Sequence, residues 1–307
     1  NSKTRYGSPI SNDKVNATFA TSERKPWLNE NILTYQVNLD RKHFINALAG
    51  MTMQESVYEF NSMKTINIPN ETLGMAGMWQ GTPNQLLSSK SEWSMLSYLA
   101  RFNYNYQSKY YFTASFRADG SSKFAKKNRY GYFPSTSVAW NFTEEEFMKD
   151  YSYILNSGKL RLSWGATGNN RVGDYDTYAL LELLQASRGN FSGIGDVVHG
   201  IYPFNNTINS IGAVPTNLAN PDLKWETTTQ SNIGVDFSFL KDKINFTFDW
   251  YDKITSDLLL LATLPTSSGY GSAMKNIGKV RNQGIEFTIN RSEERRVGKE
   301  CRSRCSP

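Results

Sequence analysis

Histidine and cysteine, the side chains that most often bind metals or attack substrates, are scarce in this sequence. It contains two histidines, His43 and His199, and two cysteines, Cys301 and Cys305. Metal centres and nucleophilic sites draw heavily on these residue types, so little material is available for either. We therefore predict no metal site, no cofactor and no catalytic nucleophile.

Three consecutive carboxylates, Glu144 to Glu146, are the densest acidic group in the sequence. Paired carboxylates can perform general acid/base chemistry, as in glycosidases. Thr143 and Glu146, however, have the spacing of a capping box, and carboxylates in the first turn of a helix interact favourably with the helix dipole. We interpret the cluster as a helix N-terminus with Thr143 as N-cap, and we predict no catalytic residue and no enzyme activity.

The last residues, 291–307, read RSEERRVGKECRSRCSP and have neither helical nor strand periodicity. They hold both cysteines and carry six Lys or Arg against three Glu, half of the net charge of +6. One interpretation is a basic nucleic-acid arm or a Cys-x-x-x-Cys metal or redox site. We favour another, since this stretch resembles the translation of a sequencing adapter: residues 291–307 are predicted to be a non-native tail. The remaining charge is too small to indicate a nucleic-acid partner.

The overall composition excludes a membrane helix but leaves room for membrane strands. The chain has 307 residues, 13% of them aromatic, with a mean hydropathy of −0.53. Its longest apolar run, residues 258–264, is far shorter than the 18 or so residues that a helix needs to span a bilayer. Membrane strands alternate apolar with polar residues, so their average hydropathy stays low. The first residues lack the apolar segment of a signal peptide, which indicates either a cytosolic chain or a longer native N-terminus.

Alternation of apolar and polar residues predicts nine long strands. Several run 10 to 14 residues, against 5 or 6 for an ordinary globular strand. The predicted strands are residues 32–39, 43–54, 95–106, 110–119, 129–142, 159–168, 228–239, 244–255 and 278–290.

The connections between these strands alternate in length. Tight turns are predicted at 40–42, 107–109 and 240–243, and residues 143–158 make a longer connection of the same set. The others are long and polar, at 55–94, 120–128, 169–227 and 256–277. In an antiparallel sheet every second connection leaves from the same end. One end therefore has short turns and the other long loops, as in outer-membrane barrels with short periplasmic turns and long extracellular loops.

The two faces of the predicted strands differ strongly. In the pair 95–106 and 110–119, alternate residues such as Phe102, Phe112 and Phe116 form an apolar face, and those between are Ser, Thr, Asn, Asp and Arg. The alternative is a soluble sandwich, for example a carbohydrate-binding module, with this face as its core. Ala and Phe dominate the apolar face, however, and charges occupy mid-strand positions opposite. We favour an all-β antiparallel transmembrane barrel in which the apolar face contacts lipid.

Aromatic residues near the strand ends indicate membrane-interface girdles, where rings lie between lipid and water. Those at one end are Tyr104, Tyr106, Tyr110 and Tyr111, and those near the other are Trp250 and Tyr251. Every backbone group in lipid must be paired, so a barrel has to close. Nine or ten strands with no closing partner therefore indicate an incomplete barrel, part of a larger one.

Several blocks resemble the barrel of the SusC/RagA family of TonB-dependent outer-membrane transporters of Bacteroidota. The blocks are YLARFNYNYQSKYYFTASFRADGSSKFAKKNRYGYFPSTSVAWNFTEEEFMKD (98–150), KLRLSWGATGNNRVGDY (159–175), NPDLKWETTTQSNIGVDFSF (220–239) and NIGKVRNQGIEFTIN (276–290). The resemblance implies that residues 1–290 are part of a barrel domain of an importer of oligosaccharides or peptides. It also implies an outer-membrane location, a SusD-like surface lipoprotein as partner, and energy from TonB through a missing N-terminal part.

Candidate substrate contacts follow from that resemblance. Sugars bind by stacking on aromatic rings and by hydrogen bonds from planar polar groups. Aromatic residues in the predicted loops and charged residues in the predicted upper lumen supply both. The candidates are Trp79, Tyr202 and Tyr270 in the loops, with Arg101, Arg117 and Asp119 in the lumen. A basic loop with Lys123, Lys126, Lys127 and Arg129 is expected to be solvated rather than to bind anionic lipopolysaccharide or an anionic partner.

Overall fold

The computed structural model describes residues 2–3, 15–151, 153–183, 201–204, 208–211, 213–240 and 242–291. The predicted non-native tail lies outside these residues from position 292 onward, as does His199. Within the described residues no helix is long and apolar enough to cross a membrane.

The described residues contain sixteen β-strands and five short 3₁₀ helices. In chain order the strands are β1 (Ser2–Lys3), β2 (Val15–Leu39), β3 (His43–Ile68), β4 (Thr82–Tyr106), β5 (Tyr110–Ser121), β6 (Tyr130–Asn141), β7 (Leu155–Asn169), β8 (Leu181–Leu183), β9 (Ile201–Phe204), β10 (Ile208–Ile211), β11 (Ala213–Pro215), β12 (Glu226–Phe239), β13 (Ile244–Ser256), β14 (Leu259–Thr263), β15 (Ser272–Asn276) and β16 (Lys279–Arg291). The helices are Glu71–Gln80, Lys126–Asn128, Phe142–Glu144, Glu146–Tyr151 and Thr266–Ser268.

Ten of the described strands form one antiparallel sheet. Its order is β1, β2, β3, β4, β5, β6, β7, β12, β13, β16, so each long strand pairs with its neighbours in the chain. The remaining strands pair as β8 with β11, β9 with β10 and β14 with β15, inside the connections. No described pairing joins β16 to the β1–β2 edge, so the sheet is an open segment of a barrel, as predicted.

The predicted segregation of connections by length is confirmed. Four connections leave from one end of the sheet, which we call the short-turn end: 40–42, 107–109, 142–154 and 240–243. The tight turns contain non-glycine residues with positive φ, including Asp40 and Gln107, a backbone conformation whose twist suits a two-stranded hairpin. The other end, the long-connection end, carries 69–81, 122–129, 170–225 and 257–278.

The prediction of a long loop over 55–94 is wrong. Strand β3 continues to Ile68 and β4 begins at Thr82, so the connection is residues 69–81 alone. Strand β5 stops opposite Met95, and the ribbon of β2, β3 and β4 continues beyond it. Strand β2 and the first part of β4 are largely exposed there on both faces. Alternation of apolar and polar residues is therefore weak in these strands, and their strand character was not recognised.

The predicted capping box at Thr143 is also wrong. The segment forms a 3₁₀ turn, Phe142–Glu144, whose N-cap position is Asn141. The Thr143 hydroxyl donates to Asn141 Oδ1 at 2.8 Å and accepts from the Gly158 N–H at 3.2 Å. A side chain committed to the neighbouring strand β7 cannot cap a helix.

The apolar face of the sheet is not a sealed core. Phe112 and Phe116 are 39% and 46% exposed, and Leu162 and Ile233 are exposed at neighbouring positions of the sheet. Phe246 and Phe248 are half-buried, and Phe246 contacts the rings of Phe237 and Phe287 on the same face. A two-layer sandwich would cover these side chains, so the sandwich alternative is not supported.

The aromatic girdle at the short-turn end is formed in part. Tyr104 Oη lies 2.8 Å from His43 Nδ1, and the rings of Tyr106 and Tyr110 lie 6.3 Å apart, all on the apolar face. Tyr111 and Tyr251 do not belong to a girdle. Their registers place them on the polar face, because odd positions in β5 and β13 point there.

Buried apolar side chains gather at the long-connection end, where connections 122–129, 170–225 and 257–278 pack on β6. The members of this mouth cluster are Phe124, Phe133, Val172, Leu223 and Trp225. The basic loop belongs to it and is not merely solvated. Lys123 is mostly buried and pairs with Asp174 at 3.1 Å, and the Trp225 indole N–H donates to the Arg129 carbonyl at 3.0 Å.

Candidate functional site

The polar face of the sheet bounds a concave cavity of about 720 Å³ below the mouth cluster. Strands β5, β6, β7 and β12 supply most of its wall. Typical lining residues are Thr113, Ser115, Arg117, Asp119, Ser135 and Asn232. These are odd positions in β5 and β6 and an even position in β12, the phase that places polar residues on one side of a pleated strand.

Hydroxyl and amide groups of this wall are joined across the strands. Thr113 donates to Asn103 Oδ1 at 3.0 Å, the Ser115 and Ser135 hydroxyls lie 2.6 Å apart, and Asn232 donates to Ser163 at 3.1 Å. The groups are half-buried and their partners are one strand away. The wall therefore presents fixed donors and acceptors without net charge.

Arg117 and Asp119 form an ion pair within the cavity wall. The Arg117 Nε lies 2.6 Å from Asp119 Oδ1 and 2.8 Å from Oδ2, and Nη2 lies 3.4 Å from the Ser97 hydroxyl. The Asp119 side chain is 10% exposed whereas that of Arg117 is 48% exposed. The carboxylate holds one edge of the guanidinium, and the rest of the cation faces the cavity side of the sheet.

Arg101 lies beside this pair. It is opposite Ser115 in the β4–β5 register, and Arg117 is opposite Leu99, two positions away on the same face. Arg101 is exposed and makes no ion pair with any residue that the structure describes. The structure thus brings together three of the predicted site residues, Arg101, Arg117 and Asp119.

The predicted loop aromatics are not part of this group. Trp79 is 78% exposed and lies in the connection 69–81, beside a separate apolar cavity of about 650 Å³ that Phe19 and Met63 also line. Phe19 and Met63 continue the apolar phase of β2 and β3, so this cavity is on the other face of the ribbon. Trp79 lies away from the site because β3 and β4, which its connection joins, extend well past the end of β5.

The other two loop aromatics stand apart as well. Tyr270 lies in the connection between β14 and β15, where its N–H donates to the Ser268 hydroxyl. No described contact joins it to Arg117. Tyr202 lies in β9, and its side chain is outside the described residues.

A second charged cluster was missed by the site prediction. Arg161 on β7 binds Asp236 on β12 through Nε at 2.7 Å and Nη2 at 3.0 Å, and Nη2 also reaches Asp249 on β13 at 3.0 Å. Gly234 lies between them, and a Cβ there would come within 2.2 Å of Asp249 Oδ1. The signal was available, because all three charges occupy polar-face positions in mid-strand.

The carboxylate of Glu145 closes the short-turn end between β5 and β6. It accepts hydrogen bonds from Tyr110 Oη at 2.6 Å, Lys109 Nζ at 3.1 Å and Trp140 Nε1 at 3.4 Å. The bond from Tyr110, followed by that from Lys109, lowers the pKa of the Glu145 carboxyl below its ordinary value. This supports the interpretation of the Glu144–Glu146 group as structural.

Among the residues that the structure describes, no group of three or more His, Cys, Asp or Glu side chains is arranged to hold a metal ion. Arg281 pairs with Asp252 at 2.8 Å on the apolar-face phase of β13 and β16, near the long-connection end. This pair therefore lies outside the cavity side of the sheet.

Comparison with known proteins identifies the fold. Residues 1–294 match the model of the family described as TonB dependent receptor-like, beta-barrel. The chain belongs to this family. The short-turn end of this TonB-dependent receptor barrel is accordingly periplasmic, the long-connection end is extracellular, and the protein resides in the outer membrane.

The individual relatives include a receptor named SusC. The chain is 34% identical over 281 residues to TonB-dependent receptor P39 of Formosa agariphila, and 38% identical over 198 residues to TonB-dependent receptor SusC of Bacteroides thetaiotaomicron. These alignments cover 91% and 64% of this chain. A chain in the structure of the RagAB peptide transporter superposes with a TM-score of 0.78 over 92% of this chain at 24% identity, which shows the shared fold.

The barrel segment is a small part of such receptors. The chain spans 25% of the length of receptor P39, 18% of SusC and 29% of the superposed RagAB chain. The relatives are receptors and transporters rather than enzymes. What the segment contributes to a whole receptor is a wall with an apolar outer face and a polar inner face.

Proposed function

We propose that the protein containing this segment imports oligosaccharides or peptides across the outer membrane. In this proposal the described sheet is one side of the conduit. The single observation that carries it is the division of the sheet into an exposed apolar face and a polar face that bounds the 720 Å³ cavity. Lipid covers the first face and substrate passes along the second.

The proposal includes the predicted partners. A SusD-like surface lipoprotein would cover the extracellular end, and TonB would supply energy through parts of the receptor beyond this segment. Two comparisons support this part: one relative carries the name SusC, and the RagAB structure is described as a peptide transporter. Arg101, Arg117 and Asp119 are proposed as substrate contacts, since they lie together beside the cavity. Trp79, Tyr202 and Tyr270 remain proposals as outer-loop contacts.

The alternative of a soluble carbohydrate-binding module is disfavoured by the structure. A soluble protein rarely exposes a broad apolar surface. Here exposed apolar side chains continue across the sheet from Phe116 through Leu162 and Ile233 to Ile285. A bilayer is the solvent that suits this surface.

Deletion of the parent gene tests the proposal. The deletion strain should lose growth on one class of oligosaccharide or peptide and retain growth on the corresponding monomer, because a small monomer can use general porins. Re-expression of the whole receptor should restore growth, and re-expression without its TonB-contacting part should not. Unchanged growth of the deletion strain on every oligomer tested would contradict the proposal.

A further inference from the structure

The charged residues of the polar face are sorted by height along the wall. Register places Arg101, Ser115, Ser135, Gly165, Gln230 and Lys253 in one row across six strands. The next row toward the periplasm is Asn103, Thr113, Ser137, Ser163, Asn232 and Tyr251. The row below that contains Arg161, Gly234, Asp249 and Glu286. The row that begins with Asn103 is thus an uncharged belt. Above this uncharged belt lie Arg101, Arg117 and Lys253 with the carboxylate of Asp119. Below it lie Asp236, Asp249 and Glu286 with the cations Arg161 and Lys159.

We propose that Arg101 and Arg117 form an anion-accepting subsite for acidic oligosaccharides, those carrying a carboxylate or a sulfate ester. This inference rests on the proposed function and specifies its substrate class. Arg101 and Arg117 are diagonal neighbours on one face of the sheet, a relation in which the two backbones lie about 7 Å apart. Asp119 compensates one of them, which leaves one positive charge in excess.

The geometry of Arg117 suits this role. Asp119 engages Nε, and Ser97 takes one donor of Nη2. A guanidinium carries five N–H donors in a fixed plane, so the others remain for a planar carboxylate or a sulfate oxygen. Because Asp119 and Ser97 are buried, the Arg117 side chain is oriented before any ligand arrives.

The acidic row below does not cancel the positive charge. It lies two rows away, four residues along each strand, which is about 13 Å. This exceeds the Debye length of about 8 Å at physiological ionic strength, and the conduit is wet. Arg161 also pairs with Asp249 in that row and with Asp236 in the row below, which offsets part of their negative charge.

The neutral belt favours a sugar over a peptide. Its side chains are hydroxyls and amides, which can exchange hydrogen bonds with ring hydroxyls. Phe133 and Trp225, the mouth-cluster rings that border the cavity, are both about 7% exposed, and a third lining residue, Trp164, lies in the apolar-face phase of β7. They offer little surface for apolar peptide side chains, which peptide grooves normally accommodate in pockets.

Binding to the purified whole receptor with its lipoprotein partner tests the inference. The probes are short oligogalacturonates with their methyl esters, and sulfated galactan oligosaccharides with their desulfated forms. These two pairs distinguish a carboxylate from a sulfate. We expect at least one acidic member to bind at least about tenfold more tightly than its neutral counterpart. Arg101→Gln and Arg117→Gln should each weaken that binding about tenfold and make it less sensitive to salt.

Lys90→Gln is the matched control, because Lys90 is an exposed cation on the opposite face of β4. It should leave binding unchanged, and the thermal unfolding of all three variants should show whether they are folded. The subsite proposal is overturned if the neutral oligosaccharides bind as tightly as the acidic ones or more tightly, or if none of the four probes binds. It is also overturned if the two arginine variants leave binding unaffected. If the deletion strain still fails to grow on a neutral oligosaccharide or a peptide, the import proposal stands without it.

Discussion

At the scale of single residues, Arg161 ties together three strands of the lumenal wall. Its guanidinium contacts Asp236 and Asp249 on two successive strands, so one positive charge reduces the repulsion between two carboxylates. The three side chains are between 29% and 38% exposed, which places the cluster between a surface pair and a buried one. Its net contribution is therefore modest, although removal of one member leaves an imbalance.

Replacing Arg161 with Gln should lower the free energy of unfolding by about 1–2 kcal/mol, because both aspartates lose their partner. Chemical denaturation of the whole receptor in detergent measures this. Adding Asp249→Asn to Arg161→Gln should recover part of the loss, since one uncompensated charge is removed. Equal stability of wild type and Arg161→Gln would show that the cluster is energetically neutral.

The Glu145 contact predicts a dependence on acid. Because hydrogen bonds from Tyr110 and Lys109 lower the pKa of this carboxyl in the folded state, the contact stabilises fully above the unfolded pKa of about 4.3. The stabilisation is then lost as pH falls through the lower folded value. Wild type should therefore lose more stability between pH 6 and pH 3 than Glu145→Gln, which cannot titrate. Parallel pH profiles of thermal unfolding would contradict this assignment.

Alternation alone was enough to predict that Arg101, Arg117 and Asp119 share a face. It could not reveal that Asp119 holds one edge of Arg117, since this depends on rotamers and on burial beneath the mouth cluster. The distance of Trp79 from these three residues depends on how far β3 and β4 run, which the sequence does not mark. Which face of the sheet a side chain occupies is encoded in the local sequence. The position of a residue along the barrel axis depends on its pairing with neighbouring strands.

At the scale of elements, strand ends inside the membrane were predicted within a few residues. The turn at 107–109 is an example, since lipid on one side and water on the other enforce alternation up to Tyr106 and from Tyr110. Beyond Met95 β2 and β4 are largely exposed and alternation is weak, so the extension of β3 and β4 was missed. The Thr143 prediction failed for a different reason, because capping signals cannot distinguish an α-helix from a 3₁₀ turn held by a strand.

At Gly234 strand β12 has no room for a side chain. A Cβ there would come within 2.2 Å of Asp249 Oδ1 and 2.8 Å of Arg161 Nη2. Gly234→Ala should therefore destabilise the receptor by about 1–3 kcal/mol through overpacking. Gly271→Ala, in an extracellular connection with nothing within 4 Å of the new methyl, is the control and should change stability by less than about 0.5 kcal/mol. Similar denaturation midpoints for the two variants would refute the close-approach argument.

At the scale of the whole molecule, the sheet has an apolar outer face, a polar inner face that contacts water and two open edges. Backbone groups in lipid cannot be left unpaired, so the β2 and β16 edges require further strands in the complete barrel. The mouth cluster adds a fixed rim, because three extracellular connections pack on one another around Trp225. Selectivity on this side of the barrel is thus expected from a preformed wall.

Opposite faces should respond differently to an added charge. Leu162→Arg places a cation on the exposed apolar face and should cost about 2–4 kcal/mol near the membrane midplane. Ser137→Arg places the same side chain on the polar face, where water reaches it, and should cost less than about 1 kcal/mol. Folding of the purified barrel into lipid vesicles, followed by denaturant titration, provides both values. A larger cost for Ser137→Arg than for Leu162→Arg would show that the polar face, and not the apolar face, contacts lipid.

The orientation of the two faces is tested most directly by labelling neighbouring single cysteines in the whole receptor in native outer membranes. The background replaces every cysteine of the whole receptor with serine. Ser115→Cys and Phe116→Cys are adjacent in β5 and lie on opposite faces. This orientation predicts that a charged, water-soluble maleimide modifies Ser115→Cys but not Phe116→Cys, whereas a lipid-soluble maleimide modifies Phe116→Cys. Modification of Phe116→Cys by the charged reagent, with Ser115→Cys protected, would contradict it.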